Sequence, residues 1–138
     1  MWMQKEVRLK PKVRGFHLVT EELLRELPEI ADFRVGVMNL FILHTSASLT
    51  INENADPTVR KDFEDYFSRI VPQGDSYLHE DEGPDDLPAH LKSSILGCSL
   101  SIPVAKGRPK LGIWQGIYLC EHRDNAGSRA IFVTIQGE

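Results

Sequence analysis

Alternation opens the chain: Val7 and Leu9 stand between Glu6, Arg8 and Lys10, the period-two pattern of a strand with one wet face. After a turn at Gly15, Thr20 offers a hydroxyl to cap a short helix whose first turn carries Glu21 and Glu22, and Pro28 ends it. The β-branched and apolar run from Arg34 to Leu43 predicts a buried strand, and Ala47 to Ile51 a second. Asp56-Pro57 is a helix start, because the carboxylate accepts orphan amide hydrogen bonds and proline needs no amide partner in the first turn. Val59, Phe63, Phe67 and Ile70 then share one helical face.

A polar loop from Gln73 to Asp86 leads to a short helix from Pro88 to about Leu96. Leu87, Leu91 and Ile95 form its apolar stripe, His90 and Ser94 lie off that stripe, and Gly97 is the stop. Three strands close the chain, Cys98–Val104, Leu111–Glu121 and Arg129–Gln136, with turns at 106–109 and 124–127. Without repeats or a linker, the pattern predicts one domain over 1–138, an α+β fold. Its expected form is a mostly antiparallel or mixed β-sheet sandwich with two or three short helices.

Composition narrows the function classes. The 138 residues are 41% hydrophobic, enough for a real core. Sixteen Lys and Arg against twenty Asp and Glu leave no broad basic field to track a nucleic-acid backbone, so no nucleic-acid partner is expected. No run approaches the ~18 apolar residues of a membrane span, and the N-terminus is charged where a signal peptide is apolar. The expected location is cytoplasmic, away from membranes. Cys98 and Cys120 sit in apolar runs outside any CxxC pair, and the expectation is that both are reduced and buried.

The chemistry concentrates in 44–56, where an imidazole, hydroxyls, amides and carboxylates stand between a strand and a helix start. His44, His79 and His90 fall at element ends or in the adjoining loop, where side chains can converge. Three neutral imidazoles with an open position would hold zinc, against the alternative of satisfied or exposed histidines. Asp81, Asp85 and Asp86 could offer oxygens to Mg²⁺, but an acidic loop is usually solvated. Asn52 and Glu53 can read a substrate ring or lock the turn, and Asp56 can cap a helix or help hold a phosphate. Lys92, sharing a helix with His90, is favoured for phosphate recognition over Lys106, Arg108, Lys110, Arg123 and Arg129. Trp114-Gln115 reads as part of a strand. His17 and His122 are weaker site candidates, and Glu121-His122-Arg123 reads as a strand-end ion network.

The run from His44 to Pro57, Ala89-His90-Leu91-Lys92-Ser93 and Gly112-Ile113-Trp114-Gln115-Gly116-Ile117 closely resemble the YjbQ family, also called secondary thiamine-phosphate synthases, and the likeness runs the length of the chain. The resemblance implies a compact α+β domain forming a homotrimer, with a polar cleft at or near a subunit boundary. It also implies a thiamine-phosphate synthase side activity, joining hydroxymethylpyrimidine diphosphate to thiazole phosphate with loss of pyrophosphate. The natural substrate, a small phosphorylated molecule, is unsettled. Carried over, the motifs point to His44, Glu53, His90 and Lys92 as catalytic, and to Asn52, Asp56, Trp114 and Gln115 as substrate-binding. The expectation is that His44, His79 and His90 form a metal or acid-base centre, the metal being Zn or Mg. Ile113 stands where the family commonly has Thr, and Ala55 where some relatives have Cys, so a covalent cysteine mechanism is excluded at that point. A metal-dependent hydrolase and a noncatalytic small-ligand binder are the alternative readings.

Overall fold

The computed structural model describes residues 1–74 and 76–138, so one residue of the expected 73–86 loop, Asp75, lies outside the described residues. Strands β1 (Trp2–Leu9), β3 (Val35–Ile42), β5 (Ser99–Ala105), β6 (Arg108–Pro109) and β8 (Arg129–Gly137) form one sheet in the order β1-β8-β3-β5-β6. Strands β2 (Gly15–Leu18), β4 (Ala47–Glu53) and β7 (Gln115–Glu121) form a second, in the order β2-β7-β4. Every pairing is antiparallel.

Alternation builds the layer between the sheets. Met38, Leu40 and Ile42 of β3 pair with Ile135, Val133 and Ile131 of β8, and all six are buried on the face that meets Ala47, Leu49, Ile117 and Leu119 of the small sheet. The two sheets thus close an α+β sandwich, as the pattern predicts. Helix α1 (Thr20–Arg25) and a 3-10 turn (Pro28–Asp32) seal one end with Leu23, Leu27 and Ile30. Helices α2 (Pro57–Ile70) and α3 (Asp86–Leu96) cover the other face of the small sheet as a third layer. Among the described residues, no helix is long and apolar enough to cross a membrane.

Several local expectations are corrected. Strand β3 is buried on one face only: Val35, Val37 and Phe41 are exposed on the outer face of the large sheet, which no described helix covers at these positions. Thr20 lies inside α1, after the N-cap residue Val19, and its hydroxyl accepts the Ile117 amide instead of capping. The segment 111–114 is loop, so Trp114 precedes β7, while Arg108-Pro109 pairs with β5 where a turn was expected. Cys120 is buried but Cys98 is exposed, since the chain leaves α3 at Gly97, held at φ 106°, and surfaces before pairing begins.

Helix α3 is turned against its apolar stripe. Leu91 and Ile95 are 40% and 59% exposed, while Ala89, Lys92 and Ser93 are buried against the small sheet. The 3.6-residue period marks a stripe without saying which side of the helix meets the core. Here the side fixed by Ser93, whose hydroxyl donates to the Ala47 carbonyl at 2.8 Å, is the covered one. That choice carries Asp86 inward with it.

Candidate metal centre

The hub of the site is the short crossing 43–46 between the sheets. The Thr45 carbonyl receives His90 Nδ1 at 2.9 Å, the Ser46 carbonyl receives Arg129 Nη2 at 3.1 Å, and His44 Nε2 accepts the Ala130 amide at 2.8 Å. Arg129 is itself paired with the buried Glu121 at 2.6 Å. Helix α3 is therefore clamped where it begins, and its first turn presents Asp86 and His90, four residues apart, on one face.

The His90 contacts settle its tautomer. A carbonyl can only accept, so Nδ1 holds the proton and Nε2 of the neutral ring holds the lone pair. That Nε2 faces Asp86 Oδ2 at 3.1 Å, and His79 Nε2 meets the same oxygen at 2.7 Å. A lone pair aimed at a carboxylate oxygen at this range requires a cation between them, either a second ring proton or a metal. His79, Asp86 and His90 each offer a donor atom, and these atoms lie within 4.8 Å of one another. Two imidazoles and one carboxylate suit Zn²⁺ and related ions, and donors ~2.0–2.2 Å from one ion stand roughly 3 Å apart. The residues present fit a metal.

Asp86 is the anchor. It is 1% exposed, and its Oδ1 accepts Arg123 Nη1 at 2.9 Å, leaving Oδ2 for the imidazoles. Burial works to raise its pKa, but the His79 hydrogen bond and the Arg123 charge work against it, and the carboxyl is held below the ordinary range. Asp85 holds Arg123 from the other side, Oδ2 to Nε at 3.0 Å, and also accepts the Asp124 amide. The expectation of a solvated acidic loop is thus corrected for Asp85 and Asp86, which are buried and paired because one guanidinium is shared between them.

The centre lies between two clefts. On the His90 side a cleft of about 610 Å³ is lined by His44, Thr45, His90, Ser94 and Cys98 among others, within the range typical of small-ligand sites. On the other side a cleft of about 430 Å³ is lined by His79, Glu80 and Asp81 among others.

Of the expected ligands, the fold brings His79 and His90 together and keeps His44 out. His44 lines the cleft with His90, but its Nε2 lone pair is spent on the Ala130 amide, so the neutral ring is protonated at Nδ1 and has no free donor for a metal. Burial and the Arg129 charge push its pKa down. Lys92 is also moved from its expected role: at 1% exposure it lies under α3, not at a phosphate-accessible surface, and burial lowers its pKa. Asp86 enters the sequence reading only as a possible Mg²⁺ oxygen in an acidic loop, and Arg123 only as a lesser phosphate candidate and part of a strand-end ion network. The signal for Asp86 was available in its i, i+4 spacing to His90; Arg123, distant in sequence, had none.

The remaining candidates gather at the far end of the small sheet and bond mainly to backbone. Glu53 Oε2 accepts the Asp56 amide at 3.0 Å, and Asp56 caps α2 by accepting Thr58 N at 2.9 Å. The Asn52 carbonyl oxygen takes the Glu53 amide, and Gln115 Oε1 takes the Gly112 amide. Trp114 is 64% exposed beside them.

Known proteins bear on the site at this point. Residues 5–138 match the family model described as UPF0047 protein YjbQ-like. The chain is 55% identical to "UPF0047 protein YjbQ" of Escherichia coli O157:H7 over 138 residues, covering all of both chains. It is 40% identical to YugU of Bacillus subtilis over 102 residues, covering 74% of this chain and 75% of the other. Among solved structures, an uncharacterized conserved protein of the yjbq/upf0047 family from Clostridium acetobutylicum superposes with a TM-score of 0.83 at 35% identity, covering 96% of this chain and 99% of that one. A YbjQ-like protein of unknown function from Sulfolobus solfataricus shares the fold at a TM-score of 0.85 and 22% identity, covering 100% and 99%. With a family model spanning nearly the whole chain and full-length relatives above half identity, the chain belongs to the UPF0047, YjbQ-like family.

Proposed function

We propose that this protein is a divalent-metal-dependent enzyme acting on a small phosphorylated substrate, with thiamine-phosphate synthase as the reaction its family resemblance implies. The observation that carries the metal reading is the convergence on one oxygen: with Nδ1 of His90 donating to the Thr45 carbonyl, its Nε2 and that of His79 both face Asp86 Oδ2, at 3.1 and 2.7 Å. His79, Asp86 and His90 would hold the ion. A bound divalent cation would neutralise charge on a departing diphosphate.

The chain's own groups would do the rest. Arg123 fixes one oxygen of Asp86 so that the other stays with the imidazoles. The cleft beside His90 offers the substrate the Ser94 hydroxyl and His44, whose ring is pinned through Nε2. Loss of pyrophosphate leaves a cationic pyrimidylmethyl carbon. The nitrogen of thiazole phosphate then forms the new C–N bond. A cytoplasmic homotrimer is the setting the resemblance implies. The uncovered Val35, Val37 and Phe41, with Leu91 and Ile95 of α3, support association. Light scattering should then give a mass about three times the 15.6 kDa chain.

The test pairs metal analysis with turnover. Purified protein should retain near-stoichiometric zinc or bind added Zn²⁺ or Mg²⁺, and should release pyrophosphate from hydroxymethylpyrimidine diphosphate only when thiazole phosphate is present. Release without the acceptor would replace the synthase with a hydrolase at the same centre, and binding without turnover would leave a ligand-binding protein. No metal uptake by wild type, or uptake unchanged in Asp86→Ala, would overturn the centre.

A further inference from the structure

Helix α2 is amphipathic yet buries no residue completely. Its Phe63 and Phe67 reach Phe16 of β2, with ring centroids 5.4 and 5.7 Å apart, but the helix leaves a half-open cavity of about 240 Å³ against the small sheet. The walls are Phe16, Phe63, Phe67 and Leu96, and the rim is Thr50 and Asn52, neighbours on one face of β4. An apolar cavity of roughly 150 Å³ is known to take up benzene, so this volume suits one substituted ring but not two.

The rim is what distinguishes this cavity from a packing defect. Asn52 Oδ1 accepts the Glu53 amide, which fixes the plane of the carboxamide. Its NH₂ group, like the Thr50 hydroxyl, makes no hydrogen bond to the protein among the described residues. An oriented amide at the mouth of an aromatic box can pair with the polar edge of a flat ring, while the phenylalanines take its faces.

We propose that this cavity binds a single-ring heteroaromatic molecule, its ring against Phe16, Phe63 and Phe67 and its donor–acceptor edge on Asn52. The site is separate from the His79–Asp86–His90 centre, since Leu96 and His90 are six residues apart on α3, about 9 Å along the helix axis. The inference deepens the reading of Asn52 as substrate-binding and rests on it for the class of ring, while ring binding by metal-free protein and turnover at the metal centre can fail separately.

The test uses full-length protein treated with EDTA, titrated with 2-pyridone and, as an apolar ring of similar size, toluene, and followed by amide chemical shifts. Saturable shifts of Phe16, Thr50, Asn52, Phe63, Phe67 and Leu96 are expected with 2-pyridone. Asn52→Ala should weaken 2-pyridone about 5-fold, the loss of one ordinary hydrogen bond, and leave toluene within a factor of two. Leu96→Trp should abolish binding of both by filling the cavity; should it fail to fold, Phe67→Leu should weaken both roughly 3- to 10-fold by removing one stacking ring. The proposal is overturned by shifts that do not saturate or that centre on other residues. It is equally overturned by toluene binding without 2-pyridone, or by 2-pyridone affinity indifferent to Asn52→Ala.

Discussion

The two ends of the small sheet make a controlled comparison. Strand β4 has seven residues, so its ends stand about 20 Å apart. At the Ala47 end, side chains meet side chains: His79 and His90 share one oxygen of Asp86, Arg123 holds the other, and Arg129 pairs with Glu121. At the Glu53 end, equally polar side chains answer backbone groups: Asn52, Glu53, Asp56 and Gln115 each accept an amide, and Asn54 donates to the carbonyls of Ile113 and Gln115. Except for Asn52, whose NH₂ group makes no hydrogen bond among the described residues and rims the aromatic cavity, these side chains are spent on building turns and caps. Convergent donors around one buried oxygen have no such structural errand.

The comparison breaks most visibly at Asp86. Asp86→Ala removes the oxygen both imidazoles share and leaves Arg123 with Asp85 and the Glu82 carbonyl. Zinc affinity measured by competition with a chelator should fall at least 100-fold, and the melting temperature should drop, since breaking a buried ion pair from one side costs on the order of 3–5 kcal/mol. Arg123→Met is the next step down. It leaves the three donors in place but frees the Asp86 carboxylate to rotate, and affinity should fall about 10–100-fold, as for other groups that orient ligands. Zinc binding insensitive to both would mean that the cluster is an ordinary ion-pair network.

Local signals explain why some of this was legible in the sequence. Asp56-Pro57 announces α2 because cap and first-turn chemistry act within three residues, and the cap forms as expected. The sandwich was legible for the same reason, since strand alternation is written into neighbouring positions. The failures are non-local. Leu91 and Ile95 form a proper helical stripe, yet the covering element reaches α3 from the Ser93 side. His44 looks identical to His90 as a residue type; only the Ala130 amide, 86 residues away, takes its lone pair. Arg123 becomes part of the centre through carboxylates 37 and 38 residues distant.

The buried groups behind the centre set an acid limit on stability. His122 is 1% exposed, and burial, with the Lys92 and Arg129 charges, pushes its pKa down to about 3. Its Nε2 meets Ser48 Oγ at 2.8 Å, and Nδ1 has no partner. The folded protein keeps this ring neutral while the unfolded chain protonates it below about 6.5, so the folded state loses stability as pH falls from 6.5 toward 3. Denaturant unfolding at pH 6.5 and 5 should differ by about 1–2 kcal/mol, with more positions contributing below pH 4 as Asp85 and Asp86 begin to protonate. In His122→Leu the difference between pH 6.5 and 5 should shrink to the part contributed by His44, whose pKa is also held down; an unchanged slope would assign it to other groups.

The smallest effects belong to the Glu53 end, and they are the sharpest check on the contrast. Asp56→Ala removes a helix cap and should lower stability by about 1 kcal/mol, read as a modest shift in denaturation midpoint. Gln115→Ala frees the Gly112 amide at an exposed loop and should cost less than that, because water replaces the lost acceptor. Neither variant should alter metal content or zinc affinity, since the strand's length separates them from Asp86. A loss of metal from either would connect the two ends. Within one chain the small sheet offers no route for that connection shorter than its own length, so the coupling would have to pass between copies, with the Glu53 end of one meeting the Ala47 end of another. If the proposed trimer supplies that coupling, dilution of the wild type to monomer should weaken its zinc affinity as well.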